Sequence, residues 1–248
     1  MKSQGIVFRE LEEMNYTGWT LIEGFPGMGL VGTIAVKYLS EKLDFKEIGH
    51  IEGDFFLPVL RIHEGLPVNP SRIYVSKKHK IILLISEQII PRQATHKLVN
   101  ALLEWVKQKK IKRVISLAGI RAANTKEGEV FGIAANPESK KILKQWNVQL
   151  IDEGITTGIT ALILLSLKNE KIEAFSLLGN AKADADYKAA ADVIKKFDEM
   201  YPDFKIDVKP LLKEAKKTEE EILKHIQELK EREPGLDRVE KPTAPMYA

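Results

Sequence analysis

Three glycines, Gly27, Gly29 and Gly32, stand in the order G-x-G-x-x-G within the run Gly24-Phe25-Pro26-Gly27-Met28-Gly29-Leu30-Val31-Gly32. Glycines at this spacing allow a tight turn, close approach of backbone to a phosphate, and close packing of a helix on a strand. Glu52 lies twenty positions after Gly32, the spacing of the ribose-binding acid in a dinucleotide unit. Two features oppose that reading. Phe25-Pro26 places a bulky, rigid pair ahead of the triplet. Glu52 leads into Gly53-Asp54-Phe55-Phe56-Leu57-Pro58, a long segment rather than a short turn. A P-loop is not indicated either, because Thr33-Ile34-Ala35 follows Gly32 with no phosphate-binding lysine. We therefore read Gly24, Pro26, Gly27, Gly29 and Gly32 as a structural glycine loop, with anion capture at the following helix terminus as the other reading.

The last three residues, Met246-Tyr247-Ala248, carry a different chemistry. A chain-terminal carboxylate is an anion able to pair with a lysine in a pocket. The Tyr247 ring offers area to bury and a hydroxyl to hydrogen-bond, and Met246 offers an adaptable apolar contact.

Catalytic and metal-binding patterns are sparse. His50, His63, His79, His96 and His225 include no H-E-x-x-H or similar ligand spacing, so no metal site is expected. There is no G-x-S-x-G elbow and hence no expectation of a serine hydrolase of that type. Glu87, Gln88, Arg92, Arg121 and Asn124 follow expected strands, where open α/β sheets place ligand pockets. They could form a nucleoside or phosphate site. The basic cluster 107–113 (KQKKIKR) crosses a helix end, where cations suit the dipole, and reads as a solvated face.

The elements that would position these groups alternate. Apolar runs at Trp19–Glu23, Lys46–Ile51, Ile81–Ser86, Arg113–Ala118, Val130–Ala134, Gln149–Ile151 and Ala174–Leu178 read as buried strands. Helical periodicity marks Leu30–Leu43, Thr95–Lys109, Pro137–Trp146 with Asn136 as N-cap, Thr157–Leu167 and Asp186–Met200. Alternation of this kind predicts an α/β core over residues 1–209 with a mostly parallel sheet flanked by helices. Residues 210–233 read as one charged helix with a thin apolar stripe, Leu211, Ala215, Ile222, Ile226 and Leu229. That stripe suits either the chain's own core or a second subunit. Pro234, Gly235, Pro242 and Pro245 stop the helix, so residues 234–248 read as a flexible arm.

Composition narrows the function classes. The 248 residues carry 38 Lys plus Arg against 35 Asp plus Glu, a net charge of +3, too small a surplus to point to nucleic acid. With no cysteine, disulfides, thiolate metal sites and a Cys nucleophile are excluded. The longest apolar runs, Lys80–Ser86 and Ile159–Leu167, are far short of the roughly 20 residues of a membrane helix. A cytoplasmic protein with no membrane partner is expected.

The glycine run 24–32 resembles the signature of the proteasome assembly chaperone family, in its archaeal branch. The acidic-aromatic stretch Glu52–Pro58, the strand Ile81–Ser86, and Ser116-Leu117-Ala118-Gly119 are similar in kind and spacing. The likeness spans roughly residues 15–200. Met246-Tyr247-Ala248 is similar to the hydrophobic–Tyr–X (HbYX) terminus of proteasome activators and several assembly chaperones. The resemblance implies a phosphorylase/hydrolase-like α/β fold, no catalytic residue and no cofactor. It implies docking of Met246, Tyr247 and Ala248 on α subunits of the proteasome core particle. Weak single tails would need several copies on one body, so a homo-oligomer, a tetramer or pentamer, is expected. The alternative is a nucleoside- or phosphate-binding enzyme that uses the glycine loop.

Overall fold

The computed structural model describes residues 5–122, 126 and 128–213. A nine-stranded sheet lies in the middle, in the order β1-β3-β6-β7-β2-β8-β11-β9-β10. Its strands are β1 (Ile6–Glu10), β2 (Thr20–Gly24), β3 (Lys46–Gly53), β6 (Ser71–Ser76), β7 (Ile81–Ser86), β8 (Arg113–Ile120), β9 (Val130–Ala134), β10 (Gln149–Leu150) and β11 (Glu173–Asn180). A separate hairpin joins β4 (Arg61–His63) to β5 (Leu66–Val68). The helices are α1 (Val31–Lys42), α2 (Arg92–Gln108), α3 (Pro137–Gln145), α4 (Gly158–Leu167) and α5 (Tyr187–Met200).

The α/β class follows from the alternation in the sequence, and all seven expected strands and all five expected helices in the core are present. The sheet is parallel through its centre, from β7 through β2 and β8 to β11. Its margins are mixed: β1, β3, β6 and β7 pair antiparallel in turn, and β9 runs against β11. Two features explain the centre. The run of β7, IILLIS, is buried at every position, as a strand covered on both faces requires. The parallel strand β2 beside it and β8 beyond β2 are joined to it in sequence through connections that contain α1 and α2, the crossovers that parallel strands need.

Helices cover both faces. Ile34, Leu39, Leu143, Val193 and Phe197 of α1, α3 and α5 pack on one side with Ile22, Leu83 and Ile115. Leu98, Leu102, Ile163 and Leu167 of α2 and α4 pack on the other with Leu21, Leu84 and Val114. The caps are built as the local sequence dictates. Asn136 Oδ1 accepts the Ser139 N–H at 3.0 Å, and Asp186 Oδ1 accepts the Ala189 N–H at 2.8 Å. At the sheet edge, Glu10 accepts from Trp105 Nε1 at 2.8 Å and Lys109 Nζ at 3.0 Å, while Phe8 stacks on Trp105. These contacts fasten β1 to α2.

Helical backbone restarts at residue 209, and Leu211 is buried against the α1/α5 side of the core. The rest of the expected charged helix to Glu233, and the expected arm 234–248, lie outside the described residues.

Candidate functional site

The glycine loop leaves the carboxyl end of β2 and turns through a short 3-10 segment, Met28–Leu30, into α1. Gly29 and Leu30 are both left-handed, with φ of 62° and 49°. Gly29 supplies that conformation without strain, and its carbonyl accepts the Asp186 N–H at 2.8 Å, tying the loop to the start of α5. The space around these glycines is occupied by the chain's own backbone. A Cβ on Gly32 would meet the Leu117 carbonyl oxygen at 1.9 Å, and one on Gly24 would meet the Gly32 oxygen at 2.2 Å. One on Gly29 would meet Ala181 Cβ at 2.5 Å. Gly27 is the exception, with nothing nearer than the Phe25 oxygen at 4.0 Å. Pro26 sits between Gly24 and Gly27 in the turn itself, half-buried. Leu30, Val31 and Thr33 at the start of α1 are buried, and the Thr33 hydroxyl lies 3.3 Å from both the Gly24 and Ser86 carbonyl oxygens.

Glu52 is not brought to this loop. It lies on β3, three strand spacings from β2, or about 14 Å in the sheet plane. Its carboxylate accepts from Arg9 Nε and lies against His50 Nε2, each at 2.8 Å. The Arg9 hydrogen bond, then that of His50, holds it below the usual carboxylate range. The acid and the glycines of a dinucleotide unit are therefore apart.

The residues that follow the strands divide into separate places. Glu87 meets three cations: Lys37 Nζ at 3.4 Å, Arg61 at 3.2 Å, and Arg72. Gln88 Nε2 donates to Ser71 Oγ at 2.9 Å, and Ser71 lies 2.9 Å from Ser86 Oγ. Arg92 is exposed at the start of α2. Arg121, beyond β8, is exposed and 4.0 Å from Asp184. Asn124 lies outside the described residues. The basic cluster 107–113 is largely paired: Lys107 with Glu170, Lys109 with Glu10, and Lys112 and Arg113 with Glu173.

A polar row on the α2/α4 face was not legible from residue types. Glu23 of β2, Ser116 of β8 and Ser176 of β11 are register partners on adjacent strands, so their side chains share one face. All three are at most 1% exposed. The Phe25 N–H donates to Glu23 Oε2 at 3.1 Å. Glu23 Oε1 and the two serine hydroxyls have no partner at ordinary hydrogen-bond geometry among the described residues. Burial pushes the Glu23 carboxyl up from its ordinary 4.5 to about 7, against the opposing pull of the Ser116 hydroxyl and the Phe25 N–H. The one clue in the sequence is a carboxylate inside an otherwise apolar strand, TLIEG.

Among the described residues no group of His, Asp and Glu could hold a metal ion, and no helix is long and apolar enough to cross a membrane. Met246, Tyr247 and Ala248 lie outside the described residues. The β4–β5 hairpin and the residue before it expose Leu60, Ile62 and Leu66.

The PAC2 family matches residues 21–226. An uncharacterised protein of Methanocaldococcus jannaschii is 30% identical over 97% of both chains. The crystal structure of Pyrococcus furiosus PbaA, described as an archaeal homologue of proteasome-assembly chaperone, superposes with a TM-score of 0.79. It is 31% identical, over 92% of this chain and 98% of its own. P. furiosus PbaB, described as an archaeal proteasome activator, superposes with a TM-score of 0.73 at 20% identity, over 90% and 99%. At that identity PbaB shares the fold.

Proposed function

The chain belongs to the PAC2 family, and from that membership we propose that it is a proteasome assembly chaperone or activator, not an enzyme. The reading rests on the likeness to PbaA, which runs through nearly the whole of both chains. In this reading Met246, Tyr247 and the Ala248 carboxylate dock on α subunits of the core particle. The carboxylate pairs with a lysine, and the Tyr247 ring fills the mouth of the pocket. The protein acts in the cytoplasm as a homo-oligomer, a tetramer or pentamer. Several tails on one body then compensate for the entropy each loses on docking. The glycine loop serves packing: three of its glycines meet backbone or a neighbouring Cβ where a phosphate cradle would need space. That geometry favours the chaperone reading over a phosphorylase-like enzyme using the same loop.

The test is a pull-down with the cognate core particle, paired with hydrolysis of a fluorogenic peptide. Intact protein is compared with Tyr247→Ala and with a variant lacking 246–248. Capture and stimulation by intact protein, lost in both variants, is the expected result. Equal capture of all three proteins would refute docking by the tail, and a monomer by light scattering would refute the multivalent form.

A further inference from the structure

The charges around Glu87 do not balance. Lys37 from α1, Arg61 from β4 and Arg72 from β6 all converge on this one carboxylate at the end of β7. Among the described residues Glu87 is the one carboxylate within ion-pair distance of these three cations, a surplus of two positive charges. This cluster is also poorly hydrated: side-chain exposure is 3% for Arg72, 9% for Glu87, 10% for Lys37 and 23% for Arg61. Like charges held together away from water repel strongly, because the local dielectric is low. A guanidinium cannot relieve this by losing its proton. Arg72 has, in addition, an Nε–H with no acceptor among the described residues. A buried donor left unpaired forfeits its bond to water without replacing it. The surplus charge and the unpaired donor are independent observations, and both ask for an anion with oxygen acceptors.

We propose that Lys37, Arg61 and Arg72 form a binding site for a doubly charged oxyanion of the phosphate class. Two negative charges match the surplus, and a tetrahedral oxyanion presents several acceptors to donors converging from different elements. The exposure gradient gives the direction of access. Arg72 forms the closed back of the site against the Tyr74 ring, 5.8 Å from its centroid. Arg61, carried on the hairpin, stands at the open side. The site is distinct from the glycine loop, whose neighbours are the chain's own atoms. Free phosphate and the phosphate group of a monoester share this chemistry.

The test uses the full-length protein with inorganic phosphate, glycerol phosphate and chloride at equal ionic strength, read by calorimetric titration and thermal unfolding. Phosphate at a hundredfold excess over its dissociation constant should raise Tm by about 5–10 °C relative to chloride. Arg61→Met should abolish both the heat of binding and the rise, and Arg61→Lys should retain part of each. Arg9→Met removes an exposed ion pair elsewhere and should leave the response intact, which separates binding from the general stabilisation that phosphate gives as a salt. Binding of glycerol phosphate at least as tight as phosphate assigns the site to a phosphate monoester, and binding of phosphate alone assigns it to the free ion. No heat and no rise with either anion would overturn the proposal. So would an equal response from Arg61→Met.

Discussion

Replacing Glu23 by Gln should stabilise the protein, by an amount that depends on pH. The side chain is 1% exposed, its Oε1 is unpartnered, and no cation lies in its polar row with Ser116 and Ser176. Its carboxyl is raised from 4.5 to about 7 in the native state. Between those values the native state holds a proton that the unfolded chain has released, so stability falls as pH rises through this window. It is fully retained below about 4.5 and levels off above about 7. At ~1.36 kcal/mol per pH unit, the loss is about 1 kcal/mol at pH 5 and roughly 3 kcal/mol at pH 8. Gln keeps an oxygen for the Phe25 N–H and carries no charge to bury. The gain from Glu23→Gln should therefore be about 2–3 kcal/mol larger at pH 8 than at pH 5, or about 5–10 °C in Tm.

Urea unfolding of both proteins at pH 5 and pH 8 gives this difference of differences, provided the denaturant slope is unchanged. The comparison isolates Glu23. Glu12 is held below the usual range by hydrogen bonds from Lys46 and Lys77, and Glu52 by those from Arg9 and His50. Both titrate below the window, in wild type and variant alike. An equal effect of the substitution at the two pH values would refute the reasoning, since it would show that the carboxyl titrates alike in native and unfolded chains.

Two further outcomes follow from packing. Gly32→Ala forces a Cβ to within 1.9 Å of the Leu117 carbonyl oxygen in the central strand β8 and should cost about 3 kcal/mol or more, whereas Gly27→Ala, with open space around it, should cost under about 1 kcal/mol. Urea midpoints of the two variants would show the contrast, and equal midpoints would refute it. Asn136→Ala removes the cap of α3, the acceptor of Ser139 Oγ at 2.7 Å, and the donor to the Ile172 carbonyl at 3.0 Å. It should lower stability by about 2 kcal/mol; a loss under 0.5 kcal/mol would show that the cap and its relay contribute little.

The part of the fold that could be read in advance is the part with strong local signals. β7 is six apolar-to-small residues in a row, and α3 has Asn136 and Pro137 to mark its start. The strands that escaped are β1, the β4–β5 hairpin and β6. Their sequences, IVFRE, RIH, LPV and SRIYVS, mix charge with apolar residues. β1 is the edge strand of the antiparallel margin, where alternate positions meet water and the apolar pattern weakens, whereas β6 lies inside that margin and is buried on both faces despite its polar residues. β6 is the sharpest case, because its buried Arg72 pairs with Glu87, the residue just beyond the end of β7. Periodicity cannot foresee a buried arginine whose partner is fifteen residues away. Likewise Glu23, Ser116 and Ser176 are scattered in sequence and become one row only through strand register. The glycine run was conspicuous by spacing, but the same spacing serves a phosphate or a close-packed helix. The Leu117 and Gly32 carbonyls, close to where a Cβ on Gly32 or Gly24 would sit, favour the close-packed helix.

Glu23 and Glu87 sit near the carboxyl ends of neighbouring parallel strands, β2 and β7, on opposite faces of the sheet. Among the described residues Glu23 has no cation beside it, and a buried carboxylate in that position can become neutral by taking a proton. Its cost is thus relieved by acid. The cluster at Glu87 has the reverse problem, because two of its three cations are guanidiniums that keep their charge. Protonating Glu87 would enlarge the surplus, so that site gains from an added anion rather than from an added proton. The two carboxylates should therefore give the stability of one sheet two separable controls, pH through Glu23 and oxyanion concentration through Lys37, Arg61 and Arg72. At pH 8 in phosphate, Glu23→Gln and the anion act on residues that share no contact, and their stabilising effects should add to within about 0.5 kcal/mol. A larger departure from additivity would mean that the strand pair β2–β7 couples them, and would move the origin of the phosphate response from the cation cluster to the sheet.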